Sequence, residues 1–349
     1  MLSFKKIIFS SKIIQFLFGL LFFLLLSEIF ISYTSLNATT KFTELCINQE
    51  QLSEKTRHTV SILLQKAKNT DCEIATRHLA KLKQLDLSAL EIEDLTPLSF
   101  FQNLTELYIA DNQITDITPL SSLKRIEKLE LSNNRIKDIT ALKNMKELKT
   151  LWMWNNQVNS IKPLEKLKKI IYLYLPFNNI DDINPIASSR NLEVVIFDNN
   201  NISDISALSR LNKLTGVSLL KNNVKDISSL ENLKELKVFM AADNRINNLI
   251  SLQKLSKLTV LILDNNLVSD IHPLSNLINL EKIYLSHNNI VDITPLSLLS
   301  KLSYIQLNNN QIQDPSSLNL LTQVTHINIA NNPLNDIECP VKPDSICNF

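Results

Sequence analysis

Histidine is the residue in this sequence best suited to proton transfer or metal binding, and the chain has five of them. None lies in an H-E-x-x-H metal motif, and no G-x-S-x-G motif marks a serine nucleophile. His287 and His326 are expected on one surface, but two strands and roughly 10 Å apart, which is too far to share a metal ion. The other three are His58, His78 and His272. We therefore expect no enzyme activity, no metal site and no cofactor.

Glycine content and charge argue against nucleotide and nucleic-acid ligands. The chain has 2 glycines, Gly19 and Gly216, so it cannot build a glycine-rich phosphate loop. Its formal net charge of +1 does not favour nucleic acid as a partner. Asparagine is abundant instead, and it is the residue after glycine that best tolerates a left-handed backbone.

An internal repeat organises the chain from Leu82 onwards. The stretch "LTELYIADNQITDITPLSSLKR" begins at Leu104, and "LEKIYLSHNNIVDITPLSLLSK" begins at Leu280. Eleven full units, all of the same length as these two stretches, cover residues 82–323, and a truncated twelfth begins at Val324. A period maintained over this length is typical of a solenoid, in which each unit packs on its neighbours.

The pattern inside one unit predicts its local structure. Positions four and six, such as Leu107 and Ile109, alternate with polar neighbours, as in a short strand with one buried face. Position nine is asparagine in all units except the first, which has Leu90, and its amide should satisfy backbone groups where the chain leaves the strand. The "DITPL" segment supplies a capping Asp and a Pro, so the opposite side should consist of 3₁₀ or irregular turns.

This repeat resembles the 22-residue leucine-rich repeat of the bacterial internalin-like proteins. The resemblance implies an α/β solenoid shaped as a horseshoe, with a parallel sheet on the concave side, a 3₁₀ or irregular convex side and a helical N-terminal cap. It also implies protein binding, often at a bacterial surface. We expect the repeats over residues 82–337, an N-terminal cap over residues 39–81 and a C-terminal cap over residues 338–349.

The cysteines lie outside the repeats, at Cys46, Cys72, Cys339 and Cys347. Four cysteines permit three pairings, and their positions favour Cys46 with Cys72 and Cys339 with Cys347. The alternative is four unpaired buried thiols. In the N-terminal cap, "SEKTRHTVSILLQKAK" has apolar residues at helical spacing, namely Val60, Leu63, Leu64 and Ala67.

The aromatic residues of the repeats concentrate where a strand faces outwards. Trp152 and Trp154 occupy positions five and seven of one unit, on either side of the core residue Met153. Phe197 and Phe239 are expected to point inwards. The residues we expect to contact a protein partner on the concave face are Trp152, Trp154, Tyr172, Tyr174, Phe177, Ile196, Tyr108, Met240, Tyr284 and Tyr304. Self-association and the ordinary preference of aromatics for strands are the alternatives.

The segment that precedes the N-terminal cap, residues 1–38, differs in kind from the rest. Lys5, Lys6 and Lys12 precede an apolar run from Ile13 to Leu26, as in an export signal. The apolar character resumes at residues 29–31, so an uncleaved membrane anchor is the alternative. We expect contact with a membrane only through this segment.

These observations favour an exported monomer that binds a protein through its concave face, in host interaction or adhesion. Export leaves the periplasm, the cell surface and the medium open as locations. The alternative function is an intracellular or periplasmic scaffold or regulator with no adhesive role. That alternative requires reduced cysteines in the intracellular case.

Overall fold

The computed structural model describes residues 41–335 and 338–348. The predicted export signal or anchor over residues 1–38 lies outside these residues. Within them, no helix combines the length and the apolar character that crossing a bilayer requires.

One parallel sheet runs through the whole described repeat region, with its thirteen strands in sequence order. Every pairing between the first twelve strands joins equivalent residues of neighbouring repeats, such as Leu107 with Leu129. The strands are β1 (Gln84–Asp86), β2 (Glu106–Tyr108), β3 (Lys128–Glu130), β4 (Thr150–Trp152), β5 (Tyr172–Tyr174), β6 (Val194–Ile196), β7 (Gly216–Ser218), β8 (Val238–Met240), β9 (Val260–Ile262), β10 (Lys282–Tyr284), β11 (Tyr304–Gln306), β12 (His326–Asn328) and β13 (Cys347–Asn348). The predicted leucine-rich repeat horseshoe is confirmed.

Each strand of three residues buries its middle side chain and turns the other two away from the core. Leu107 and Ile109 are both fully buried, in agreement with the alternation in the sequence. Phe197 and Phe239 are also fully buried, as expected. The core is therefore a continuous column of Leu, Ile and Val that passes from repeat to repeat.

Short 3₁₀ helices form the convex side, as the repeat pattern predicted. They run from Thr96–Phe100 in the first repeat to Ser316–Leu320 in the eleventh. At the start of most of these turns, a backbone N–H donates a hydrogen bond to the side chain of an Asp two residues earlier in the chain. In the second repeat, Thr118 N donates to Asp116 Oδ1 at 2.7 Å. The turns are short because the chain must leave the sheet and return to it within a single repeat.

Position-nine asparagines connect successive repeats through buried hydrogen bonds. Asn200 Nδ2 donates to the carbonyl of Leu175 in the preceding repeat and to that of Phe197 in its own, both at 3.0 Å. Its Oδ1 accepts from Ile180 N at 2.9 Å. The same set of contacts recurs through the array, for example at Asn112 and Asn288. Each amide thus satisfies backbone groups of two repeats that no strand pairing reaches.

A helical cap covers the first repeat. Residues 41–47 are helical, and two helices follow, α1 (Glu54–Ala67) and α2 (Cys72–Leu79). Of the apolar residues predicted to pack, Val60, Leu63 and Ala67 are buried and Leu64 is partly buried. Helix α1 packs on the first 3₁₀ turn through Thr59, whose Oγ1 donates to the Asp94 carbonyl at 2.8 Å.

Both predicted disulfides are present. Cys46 is bonded to Cys72 in the helical cap, and Cys339 to Cys347 in the C-terminal segment. The described chain has no free cysteine. The C-terminal bond accompanies a strand that the sequence did not predict: β13 pairs with β12 and extends the sheet.

The asparagine contacts lead to a stability prediction. Asn200→Ala leaves Ile180 N without a partner in the core, while the Leu175 and Phe197 carbonyls keep their bonds from Asn178 and Asn222, so the free energy of unfolding should fall by about 1–3 kcal/mol. Urea denaturation followed by circular dichroism measures this change. The control is Asn201→Ala, which removes an exposed asparagine next to it in the sequence and should change stability by less than about 0.5 kcal/mol. Equal losses in the two variants would contradict a special role for position nine.

Candidate functional site

The concave face is formed by the first and third residues of each strand. Because the middle residue points into the core, these two side chains lie in rows that run across the sheet from repeat to repeat. Residues seven and eight of each repeat continue this surface at the edge where the strands end. The predicted contact residues therefore lie on this face or along its edge.

Five aromatic residues of two adjacent repeats lie together on this face, and we call them the aromatic cluster: Trp152, Trp154, Tyr172, Tyr174 and Phe177. Trp152 and Tyr174 are directly paired in β4 and β5, and their rings stack at 6.0 Å with an angle of 8° between planes. Trp154 is 41% exposed and Phe177 is 53% exposed. Neither indole is buried, so both point away from the leucine core as expected.

Phe177 occupies a left-handed backbone position, with φ of 54°. Position eight is left-handed in every repeat of the described chain, and elsewhere it is mostly Asn or Asp. The sequence suggested left-handed positions from its asparagine content but did not assign them to position eight. A phenylalanine in this conformation is unfavourable, because its Cβ approaches the following carbonyl oxygen. The exposed ring is therefore held at a cost in backbone energy.

An apolar row continues from the aromatic cluster across the middle of the sheet. Ile196 and Met240, both predicted contact residues, are partly buried on β6 and β8. Ser218 on β7 lies between them and interrupts this row, and Gly216 interrupts the neighbouring row between Val194 and Val238. A Cβ on Gly216 would approach no neighbour closer than 3.6 Å, so packing does not require glycine at this position. The missing side chain leaves a gap in the apolar surface.

The structure separates the predicted contact residues into groups. Tyr284 stacks on Tyr304 at 5.1 Å, and Tyr304 stacks on His326 at 4.4 Å, so a second group lies at β10–β12. This group is about 29 Å from Trp152, since six strand spacings separate them. Tyr108 also stands apart, because Glu130 lies between it and Trp152 in the row. Nothing in the sequence indicated the stacking of His326.

The geometry of the repeats agrees with comparisons to known proteins. A family profile for "Leucine Rich repeats (2 copies)" matches residues 102–144, 146–188 and 256–298. The internalin InlF of Listeria monocytogenes has a similar structure, with a TM-score of 0.75 and 25% sequence identity over 84% of this chain and 94% of that chain. This chain has internalin-like leucine-rich repeats. A comparison with curated protein sequences gives no significant match.

More distant structures share the fold of this internalin-like protein. A leucine-rich repeat protein of Leptospira interrogans has a TM-score of 0.51 and 20% identity, over 75% of this chain and 87% of that chain. The plant peptide hormone receptor RGFR1, in complex with RGF2, has a TM-score of 0.58 and 19% identity, over 73% of this chain and 52% of that chain. These similarities concern the fold.

The concave face of the internalin-like protein is acidic, although the whole chain has a formal charge of +1. Seven carboxylates and three lysines occupy positions three, five, seven and eight of the repeats. They are Asp86, Glu106, Asp111, Glu130, Asp198, Asp243 and Asp264, against Lys128, Lys221 and Lys282. The compensating positive charge therefore lies on the other surfaces.

Two kinds of acidic residue contribute to this charge. Near β2, Glu106 forms an ion pair with Lys128 at 3.0 Å and accepts a hydrogen bond from the Tyr108 hydroxyl at 2.8 Å. Burial, together with this carboxylate, raises the pKa of Tyr108 to about 12. Further along, burial raises the pKa of Asp198 and of Asp264. No ammonium or guanidinium group is bonded to either of these two carboxylates in the described chain, and Asp198 instead accepts hydrogen bonds from Ser218 and from Leu220 N.

No group of three or more His, Cys, Asp or Glu side chains within residues 41–335 and 338–348 is placed to hold a metal ion. His287 and His326, which were expected to share the face, have different neighbours. His287 Nε2 is 3.2 Å from Asn309 Nδ2, whereas His326 lies against Tyr304. The two histidines thus lie on the concave face and its edge with different neighbours.

The backbone of Phe177 leads to a prediction about stability. Phe177→Asn places the residue type common at position eight into the left-handed conformation, so the free energy of unfolding should rise by about 1 kcal/mol. Thermal unfolding measures the change. The control is Tyr174→Asn, on the same face but in an extended strand, where asparagine is unfavourable and the melting temperature should fall. A lower melting temperature for Phe177→Asn would contradict the strain.

The burial of Asp198 leads to a prediction about pH. Because its pKa is raised in the folded protein, the folded state binds a proton more tightly than the unfolded chain, and its ionisation costs stability as pH rises above the ordinary value of 3.8. Asp198→Asn keeps an oxygen acceptor without the charge. The variant should be more stable than the native protein at neutral pH, and this gain should vanish near about pH 3. Urea denaturation across pH measures both, and a gain independent of pH would contradict the argument.

Proposed function

We propose that this protein is exported and binds a protein partner through the concave face, with the aromatic cluster as its main contact area. The observation that carries the proposal is the exposure of Trp154 and Phe177 beside the stacked pair of Trp152 and Tyr174. Large aromatic side chains each bury about 150–250 Å² at an interface and lose little conformational entropy on binding. They are accordingly common among the residues that dominate binding energy.

The unfavourable backbone conformation of Phe177 supports a role in binding. It argues against the alternative, in which the aromatic residues are present only because aromatic side chains favour β-strands. Strand preference acts through extended backbone, and Phe177 has a left-handed one. An exposed phenylalanine in a strained position stabilises neither the strand nor the core. Contact with another molecule is a benefit that offsets both costs.

Charge complementarity indicates the chemistry of the partner. The aromatic cluster and the apolar row behind it are bordered by the carboxylates of the concave face, with Glu130 on one side and Asp198 on the other. A partner with an apolar centre and a basic rim fits this surface, since opposite charges favour correct encounter and repel wrong partners. An acidic partner would meet repulsion from the carboxylates on these two sides.

The disulfides support export. Both bonds close the ends of the solenoid, where a stack of repeats would otherwise expose its core. Disulfides of this structural kind persist in oxidising compartments, which include the periplasm, the cell surface and the medium. An intracellular scaffold would contain four thiols under its working conditions, and counting thiols in protein purified from its native host separates the two cases.

Site-specific photo-crosslinking tests the binding face in the full chain. A photoreactive amino acid at Asn155, beside the aromatic cluster, should capture a protein partner on the producing or neighbouring cells. The same residue placed at Lys234, on the convex side, should not. A partner captured equally from both positions would contradict the proposed face.

Affinity for the captured partner then tests individual residues. Trp154→Ala should weaken binding by about 2 kcal/mol or more, roughly 30-fold, and leave the melting temperature nearly unchanged. The control is Leu298→Ala, which removes an exposed apolar residue from a convex turn and should leave the affinity unchanged. Isothermal titration calorimetry gives the affinities, and analytical ultracentrifugation tests for self-association. A dimer that Trp154→Ala dissolves would overturn the proposal in favour of self-association.

A further inference from the structure

Shallow grooves separate neighbouring turns on the convex side, and one of them is lined by four lysines. This groove lies between the third repeat, which begins at Ile126, and the fourth, which begins at Leu148. Its volume is about 820 Å³. We call it the lysine groove, after Lys137 and Lys143 on one wall and Lys162 and Lys166 on the other.

The fold does not require lysine at these positions. Lys162 occupies position fifteen, which is Thr, Ser, Asn, His or Ile in the other full repeats, and Lys143 is the only lysine at position eighteen. The equivalent groove between the fourth and fifth repeats is lined instead by Asp181 and Asp182 on its far wall. The two neighbouring grooves share Lys162 and Glu165 but differ in the charge of their remaining walls.

The fourth repeat also lacks a carboxylate that the pattern would place in this groove. Position thirteen is Asp in nine of the eleven full repeats, and each Asp accepts a hydrogen bond at 2.7–2.9 Å from the backbone N–H two residues later. In the fourth repeat this residue is Ser160, whose Oγ lies 3.5 Å from Lys162 N. The exchange weakens a local cap and removes a negative charge where the lysines meet.

The four ammonium groups have no partner within the described chain, although many other lysines do. Lys149, Lys169 and Lys257 each form an ion pair with the Glu at the equivalent position of the preceding repeat, at 2.6, 2.5 and 2.6 Å. Two carboxylates also line the lysine groove, Asp138 and Glu165. Asp138 Oδ1 already accepts from Thr140 N and Oγ1, so one of its oxygens is engaged.

We propose that the lysine groove binds a chain of phosphate or sulfate groups, free in solution or carried by a polymer. Ammonium groups bind such oxyanions as compact charges, and a groove between two turns admits a narrow chain whereas a flat bilayer does not enter it. This site lies on the opposite side of the repeats from the aromatic cluster. It is therefore independent of the proposed protein partner, and both ligands can be bound at once.

Calorimetric titration of the full chain with inorganic tripolyphosphate at low ionic strength tests the site. Lys143→Gln/Lys162→Gln should weaken binding at least about 10-fold, because two of the four charges are removed. The matched control is Lys225→Gln/Lys254→Gln, which removes two convex lysines from later repeats and should change the affinity less than about 2-fold. Similar losses in both double variants would overturn a defined site.

Ser160→Asp provides a second test, in which misfolding cannot explain a loss of binding. The variant restores the repeat pattern, so its melting temperature should rise while its affinity for tripolyphosphate falls several-fold. Unchanged affinity together with improved stability would overturn the proposal. So would binding to phosphatidylglycerol vesicles without binding to tripolyphosphate, because that result indicates a flat charged surface. None of these results bears on the concave face, so the two proposals fail separately.

Discussion

Every repeat is held to its predecessor by the hydrogen bonds of a buried asparagine. Backbone pairing between repeats covers the three-residue strand and a few flanking residues, such as Phe177 N with the Asp198 carbonyl, and the chain must then turn away from the sheet with other backbone groups still buried. An amide supplies two donors and an acceptor on one short side chain, so Asn200 serves the carbonyls of Leu175 and Phe197 and the N–H of Ile180 together. A serine or an alanine at this position would leave at least one of these groups without a partner. The constant length of the repeat follows, because an inserted residue would move the amide out of reach of the preceding unit.

The same strand, asparagine contacts and turn recur from repeat to repeat. For this reason the fold could be predicted closely from the sequence. A strict period needs no long-range information: the alternation around Leu107 gives the strand, and the position of Asn112 gives the turn. The positions of the cysteines outside the repeats were enough to predict both disulfides. The strand β13 was missed for the converse reason. Residues 338–349 do not follow the repeat, and a strand of two residues has no periodicity from which to recognise it.

The candidate site was predicted less completely, for physical reasons that differ from residue to residue. The outward direction of Trp152 and Trp154 follows from the register alone. The division of the aromatic residues into separate groups does not follow from the register. It depends on which residues interrupt the rows on the concave face; Glu130, for example, separates Tyr108 from Trp152. The strain at Phe177 became visible only with its backbone angle. Gly216 is a related case: its type was plain in the sequence, but only the distance from its position to Val194 excludes a packing reason for it.

The pairing of β13 with β12 has a consequence for the state of the protein in solution. An open parallel sheet ends in a row of free N–H and C=O groups, which is a template for any other extended chain. At the C-terminal end that template is occupied by Cys347 and Asn348, with Ile329 N donating to the Asn348 carbonyl at 2.9 Å. The bond from Cys339 to Cys347 tethers this two-residue strand, which is too short to stay in place unaided. In a reducing environment the sheet edge would come free, and molecules would gain a route to end-to-end polymerisation.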